Sequence, residues 1–283
     1  AKRLGGNQWR TYSPDLRSAT IEQLNLENSL RKAIFRDEFL VHYQPKVSLQ
    51  SKCIVGMEAL VRWQHPTLGL LYPGDFIPLA EDTGLISVIT ERVLQQACEQ
   101  VKAWSRAGLG ELTVAVNIPP QQLHKGDLMH TLNTALEESG LPAEQLEIEL
   151  TETSLMDDPD MAANILAKVR ERGITIALDD FGTGYSSLSQ LRKFPLNTLK
   201  IDQSFIREVG QSTEDGAIVR AIITMAHELG MTVVAEGVET PCHLDFLIRE
   251  RCDYVQGYYV SRPVSAQAME EMLITQQQKQ RAI

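Results

Sequence analysis

The chain has 283 residues, 43% of them hydrophobic and 23% charged, enough to bury one large α/β core or two small ones. A formal net charge of -10 at pH 7 argues against a general grip on a nucleic-acid backbone, because a duplex is repelled at long range; a small anionic ligand stays possible where a metal intervenes. No run of 18 uncharged apolar residues and no signal-peptide core is present, so the expectation is a soluble, cytoplasmic domain, whose parent protein could be membrane-anchored through other parts. The four cysteines lack C-x-x-C spacing and the six histidines form no H-x-x-x-H pair, which indicates neither a disulfide framework nor a zinc site.

In chain order, residues 1–18 open with AKRLGGNQW, a basic, glycine-rich stretch that reads as a linker or the tail of something preceding. Ser18–Arg36 is predicted as a helix, with Thr20 and Gln23 in capping-box spacing. Strands are predicted at 39–45, 53–60, 112–117, 146–152, 174–180, 198–202, 232–236 and 254–260, each an apolar run of strand length. Helical stripes lie between them. Ile89, Val93, Ala97, Val101 and Trp104 form one, closed by Gly108; Ile218, Ile222, Ala226 and Leu229 form another, closed by Gly230. Asp158-Pro159 and Thr240-Pro241 each offer an N-cap followed by proline at the first helical position. Eight strands alternating with helices fit an α/β fold, a TIM-like (β/α)8 barrel over residues 19–283 with allowance for an irregular first strand; an open sheet is the alternative.

Active sites of such barrels sit at the C-terminal ends of the strands. The residues predicted there are Gln44, Glu58, Asn117, Glu149 with Glu152, Asp179 with Asp180, Lys200, Glu236 and Gln256. All are polar, and most are acidic. Strand parity puts Asp179 on the inner face with Ala177 and Thr175, and Glu149 with Glu147 and Thr151, leaving the aliphatic residues to face the helices. Scattered surface polarity is the competing reading, and an N-cap or turn is the competing reading of the Asp179-Asp180 pair. A ring of carboxylate and amide oxygens selects hard cations, Mg²⁺ or Mn²⁺. Adjacent aspartates could bridge two of them, an arrangement suited to in-line displacement at phosphorus. Lys200 is then a structural counter-ion or a group that orients water.

The stretches EALVR (58–62), ELTET (149–153), DDFGTGYSSL (179–188), LKIDQSF (199–205), AEGVET (235–240) and QGYYVSRP (256–263) resemble the EAL-domain cyclic-di-GMP phosphodiesterases, from about Ile21 onward. The resemblance implies a bacterial signalling enzyme that opens cyclic di-GMP to linear pGpG with two Mg²⁺ or Mn²⁺ ions, Ca²⁺ supporting binding with little turnover. The alternative is a receptor module that holds cyclic di-GMP without hydrolysis. By resemblance, Glu58, Asn117, Glu149 and Asp179 hold a first metal and Asp179 with Asp180 a second. Glu236 is a metal-site carboxylate and general base, and Lys200 stands beside the nucleophilic water. Gln44, Arg62 and Gln256 contact the ligand, and Glu152 anchors the loop after Asp180. Pro119-Pro120 departs from the family's usual residues after the asparagine. A homodimer is expected, and the N-terminal stretch resembles the end of a GGDEF (diguanylate cyclase) domain.

Overall fold

Strand β5 (Leu146–Thr151) shows how the chain sorts itself: Leu146, Ile148 and Leu150 are fully buried against helices, while Glu147 and Glu149 alternate with them and face the opposite side. The other strands repeat this, and the computed structural model, which describes residues 14–124, 128–182, 188–209 and 215–281, closes them into a barrel. Besides β5, the strands are β1 (Phe39–Ser48), β2 (Ile54–His65), β3 (Gly69–Leu71), β4 (Thr113–Asn117), β6 (Thr175–Phe181), β7 (Thr198–Ile201), β8 (Thr232–Ala235) and β9 (Tyr254–Val255). Hydrogen bonding follows the order β1-β9-β8-β7-β6-β5-β4-β2, and β1 pairs with β2 to close the ring. Among the described residues, seven barrel strands are parallel. β1 runs antiparallel to both neighbours and carries a register shift at Lys46/Val47, so the first strand is the irregular one. β3 is a short hairpin arm on β2, outside the ring.

Helices cover the outside. The stripe on helix Ile86–Arg106 is buried as expected, and Gly108 follows with a φ of 75°. Asp158 caps its helix by accepting the Met161 N–H, and Thr240 does the same for His243. On helix Asp215–Glu228 the stripe is rotated from the expected one. Ile218 is 49% exposed and Val219 takes its place beside Ile222, Ile223 and Ala226, because four branched residues in six exceed the width of one buried face. The first helix runs Pro14–Ala33, earlier than the predicted Ser18–Arg36; Pro14 opens it, which leaves Thr20 and Gln23 in its interior, away from any cap. The predicted linker or domain tail lies, for residues 1–13, outside the described residues.

The last predicted strand, 254–260, is cut short at Val255. Gly257 comes so close to the Val238 backbone that an added Cβ would stand 2.3 Å from its nitrogen, and the Val260 and Ser261 N–H groups turn back to the Gly257 carbonyl. That turn sets Gln256 at the barrel mouth. No described helix is long and apolar enough to cross a membrane.

Candidate active site

Lys200 on β7 is the centre of the barrel mouth. Its side chain is 2% exposed, and its Nζ lies 2.7 Å from Glu149 Oε2, 2.8 Å from Glu236 Oε1, 3.0 Å from Asp179 Oδ1 and 3.6 Å from Glu58 Oε2. Four strands thus aim carboxylates at one ammonium. Asn117 at the end of β4 donates to Glu58 (2.7 Å) and Glu149 (3.2 Å), while Gln256 donates to Glu58 (2.5 Å) and Gln44 (3.1 Å). Gln44 is not at a strand end: β1 continues to Ser48 in the reverse direction, and the antiparallel register opposite Glu58 brings it to the mouth. Glu58 likewise lies within β2, which continues past the rim to His65.

Neighbouring strand residues face opposite sides, so Asp179 and Asp180 should diverge. A bulge prevents it. The β6–β7 register shifts between Leu178 and Phe181, and Asp180 adopts a left-handed φ of 54° with its N–H on Asp179 Oδ1 at 3.0 Å. The bend brings ligand oxygens of Asp179, Asp180 and Glu236 within 4.8 Å of one another. Beyond it, Glu152, 3% exposed, accepts the Gly182 N–H at 3.3 Å and so holds the chain after the bulge.

The charge balance is lopsided. Burial raises the Glu58 carboxyl, but the Lys200 ammonium and the amides of Gln256 and Asn117 outweigh it and hold Glu58 below the ordinary range. Burial and the Glu58 charge drive Glu149 well above it. Burial also pushes Glu236 up to about 8 against the pull of Lys200, and burial with the Asp179 charge raises Asp180. Lys200 is held well above its usual value by Glu149, Glu236, Glu58 and Asp179, which overcome its desolvation. Too many carboxylates for one ammonium is an arrangement that further cations would relieve. The donors are oxygens without sulfur or imidazole, which fits a hard divalent ion. Asn117 presents its NH₂ to the carboxylates, so ligation by its oxygen requires the amide to turn over about a soft two-fold torsion.

Arg62 stands apart from the cluster. Its guanidinium lies 5.1 Å over the Tyr72 ring and donates to the Val61 carbonyl, with Nε unpartnered. The cavity over Lys200, about 220 Å³, is lined also by Gln203, Arg207, Glu239 and Tyr258, which the sequence reading passed over. Each sits within three positions of a motif residue or on the first helical turns after Lys200, so proximity to those motifs was the available signal. One layer deeper, Lys46 Nζ binds Glu147 at 2.6 Å and Thr198 donates to the same carboxylate at 2.9 Å. This second buried ion pair fills the barrel beneath the mouth.

A barrel with one reversed strand and an acidic, lysine-centred mouth defines the class. The chain belongs to the EAL domain family, whose pattern matches residues 27–263. It is 44% identical over 273 residues to cyclic di-GMP phosphodiesterase NbdA of Pseudomonas aeruginosa, covering 96% of this chain and 35% of that protein. It is 40% identical over 269 residues to the bifunctional diguanylate cyclase/cyclic di-GMP phosphodiesterase MucR of the same organism, covering 95% of this chain and 39% of that protein. The chain therefore spans well under half the length of these relatives. The solved structure of PaMucR phosphodiesterase in complex with c-di-GMP superposes with a TM-score of 0.83 at 42% identity, covering 87% of this chain and 99% of that one.

Proposed function

We propose that this domain hydrolyses cyclic di-GMP to linear pGpG with two divalent cations, Mg²⁺ or Mn²⁺. The observation that carries the reading is the convergence of Glu58, Glu149, Asp179 and Glu236 on Lys200, with Asn117 and Asp180 at its edge. Glu58, Asn117, Glu149 and Asp179 are assigned to one cation, Asp179 and Asp180 to the other, with Glu236 contributing at the same site. When bound, the cations lower the pKa of a water and neutralise charge developing at phosphorus.

The chain's own residues do the rest. Glu236, whose carboxyl burial pushes up to about 8 without cations, gives up that proton when positive charge enters the ring and as carboxylate accepts the proton of the attacking water, while Lys200 orients that water and balances the ring. Gln44 and Gln256 position the ligand, and Arg62, whose guanidinium lies over the Tyr72 ring, is assigned to a phosphate. One water is added at phosphorus and one P–O3′ bond breaks, giving a 5′-phosphate and a free 3′-hydroxyl. The resemblance carried by DDFGTGYSSL is the ground for expecting a homodimer, although residues 183–187 of that motif lie outside the described residues, and a GGDEF-like neighbour in a longer protein fits the likeness to MucR.

The test is chromatography of products after incubation of cyclic di-GMP with the protein and Mg²⁺, Mn²⁺ or Ca²⁺. Conversion to pGpG is expected with the first two and little with Ca²⁺, which binds with looser geometry. Ligand recovered bound and intact in every metal would favour the receptor reading.

A further inference from the structure

The left-handed turn at Asp180 is gripped from two sides, one polar and one apolar. Glu152 takes the Gly182 N–H on the first side. On the second stands Phe205, from the short helix Gln203–Glu208: a Cβ built on Gly182 would lie 2.7 Å from its Cε2 and 2.8 Å from its Cζ. Gly182 itself has a φ of 99°, so both its conformation and its contact with the ring admit only glycine. Phe205 is partly buried and packs on the hydrophobic core, which fixes the ring against which the turn rests.

The helix that carries Phe205 begins two residues after Ile201, the end of the strand that carries Lys200, and is capped by Asp202, whose carboxylate accepts the Ser204 N–H at 3.0 Å. One strand–helix unit therefore supplies the ammonium inside the ring and the aromatic wall behind the bulge. Left-handed backbone at a residue with a side chain is unfavourable by itself and persists only where its surroundings over-determine it. Here those surroundings are Glu152 and Phe205.

We propose that Phe205 is a positioning residue for Asp180: its ring, closed on Gly182, keeps the Asp180 carboxylate in the site and so sets the affinity of the second cation. This rests on the reading of Asp180 as a ligand of that cation. Residues that hold ligands in place typically change metal affinity by about 10- to 100-fold when removed.

The test is Mn²⁺ titration, followed by electron paramagnetic resonance, of wild type, Phe205→Ala and Phe205→Met. Wild type is expected to bind two ions. Phe205→Ala should weaken the second by about 10-fold or more with the first unchanged, and Phe205→Met, which keeps an apolar body against Gly182, should restore most of it. If Phe205→Ala fails to fold, Phe205→Tyr carries the test, since its hydroxyl extends from Cζ, one of the two ring atoms closest to Gly182, and should displace the turn. Unchanged affinities, or equal weakening of both ions, would overturn the proposal while leaving two-cation binding intact. A single ion bound by wild type would overturn the two-cation reading, and this inference with it.

Discussion

Lys200 and Glu149 form a 2.7 Å ion pair in which each side chain is 2% exposed, and Glu149 is nevertheless held well above the ordinary carboxylate range. Burial and the Glu58 charge raise it more than one ammonium, shared among four carboxylates, can lower it. The pair is better described as one part of a ring that is short of positive charge.

Removing the ammonium should therefore be costly without metal. Lys200→Met is expected to destabilise the metal-free protein by about 3–5 kcal/mol near pH 8, the usual penalty for stranding buried charge. The loss should shrink at lower pH as the carboxylates take up protons. Urea denaturation at the two pH values checks both the size and the direction.

The proton balance predicts how stability depends on pH. The Glu236 carboxyl has a folded pKa of about 8 against 4.5 for the ordinary group, so the folded state binds its proton more tightly than the unfolded one. That contribution is fully present below 4.5 and is lost as pH rises through about 8, and Glu149 acts in the same sense. Glu58, held low, acts in the opposite sense and only toward acid. Metal-free protein should accordingly lose thermal stability as pH rises from about 4.5 to about 8 and level off above that, with Mg²⁺ reversing most of the loss. Calorimetry in two buffers of different ionisation enthalpy should show protons released on Mg²⁺ binding near pH 7; binding without proton release would contradict the assignment.

Glu152 and Glu149 lie three residues apart and should behave differently. Glu152 accepts the Gly182 N–H, whereas Glu149 faces Lys200 and Asn117. Glu152→Gln, which keeps an acceptor oxygen, should lose turnover less than Glu152→Ala, and both should be partly rescued by raised Mg²⁺ or Mn²⁺. Glu149→Gln should not be rescued. Kinetics across a metal titration separate the cases: equal, unrescuable losses would make Glu152 a direct ligand, and unchanged kinetics would leave its bond to Gly182 without a part in metal binding.

Much of this site was legible in the sequence because parity is local. Glu149 with Glu147, and Asp179 with Ala177, face the barrel interior as alternation requires. Asp180 was assigned to the site from its neighbour, but the bulge that carries it there depends on a φ of 54° that no alternation pattern encodes. The reversal of β1 was hidden for a similar reason: apolar alternation reads the same in either direction, and only the pairing of Gln44 with Glu58 reveals it. Lys46 was missed because its partner Glu147 is 101 residues away, and β3 because three residues make no period.

Glu236→Gln decides whether the acidic ring performs the hydrolysis. Glutamine matches the protonated carboxyl that Glu236 holds at neutral pH in the metal-free protein, so fold and stability should be retained. With Mg²⁺ in ¹⁸O-water, wild type should convert cyclic di-GMP to pGpG carrying one ¹⁸O on its 5′-phosphate, and Glu236→Gln should return the ligand unaltered. Equal turnover in both would remove Glu236 from the chemistry, and intact cyclic di-GMP from wild type would rule out hydrolysis by this ring.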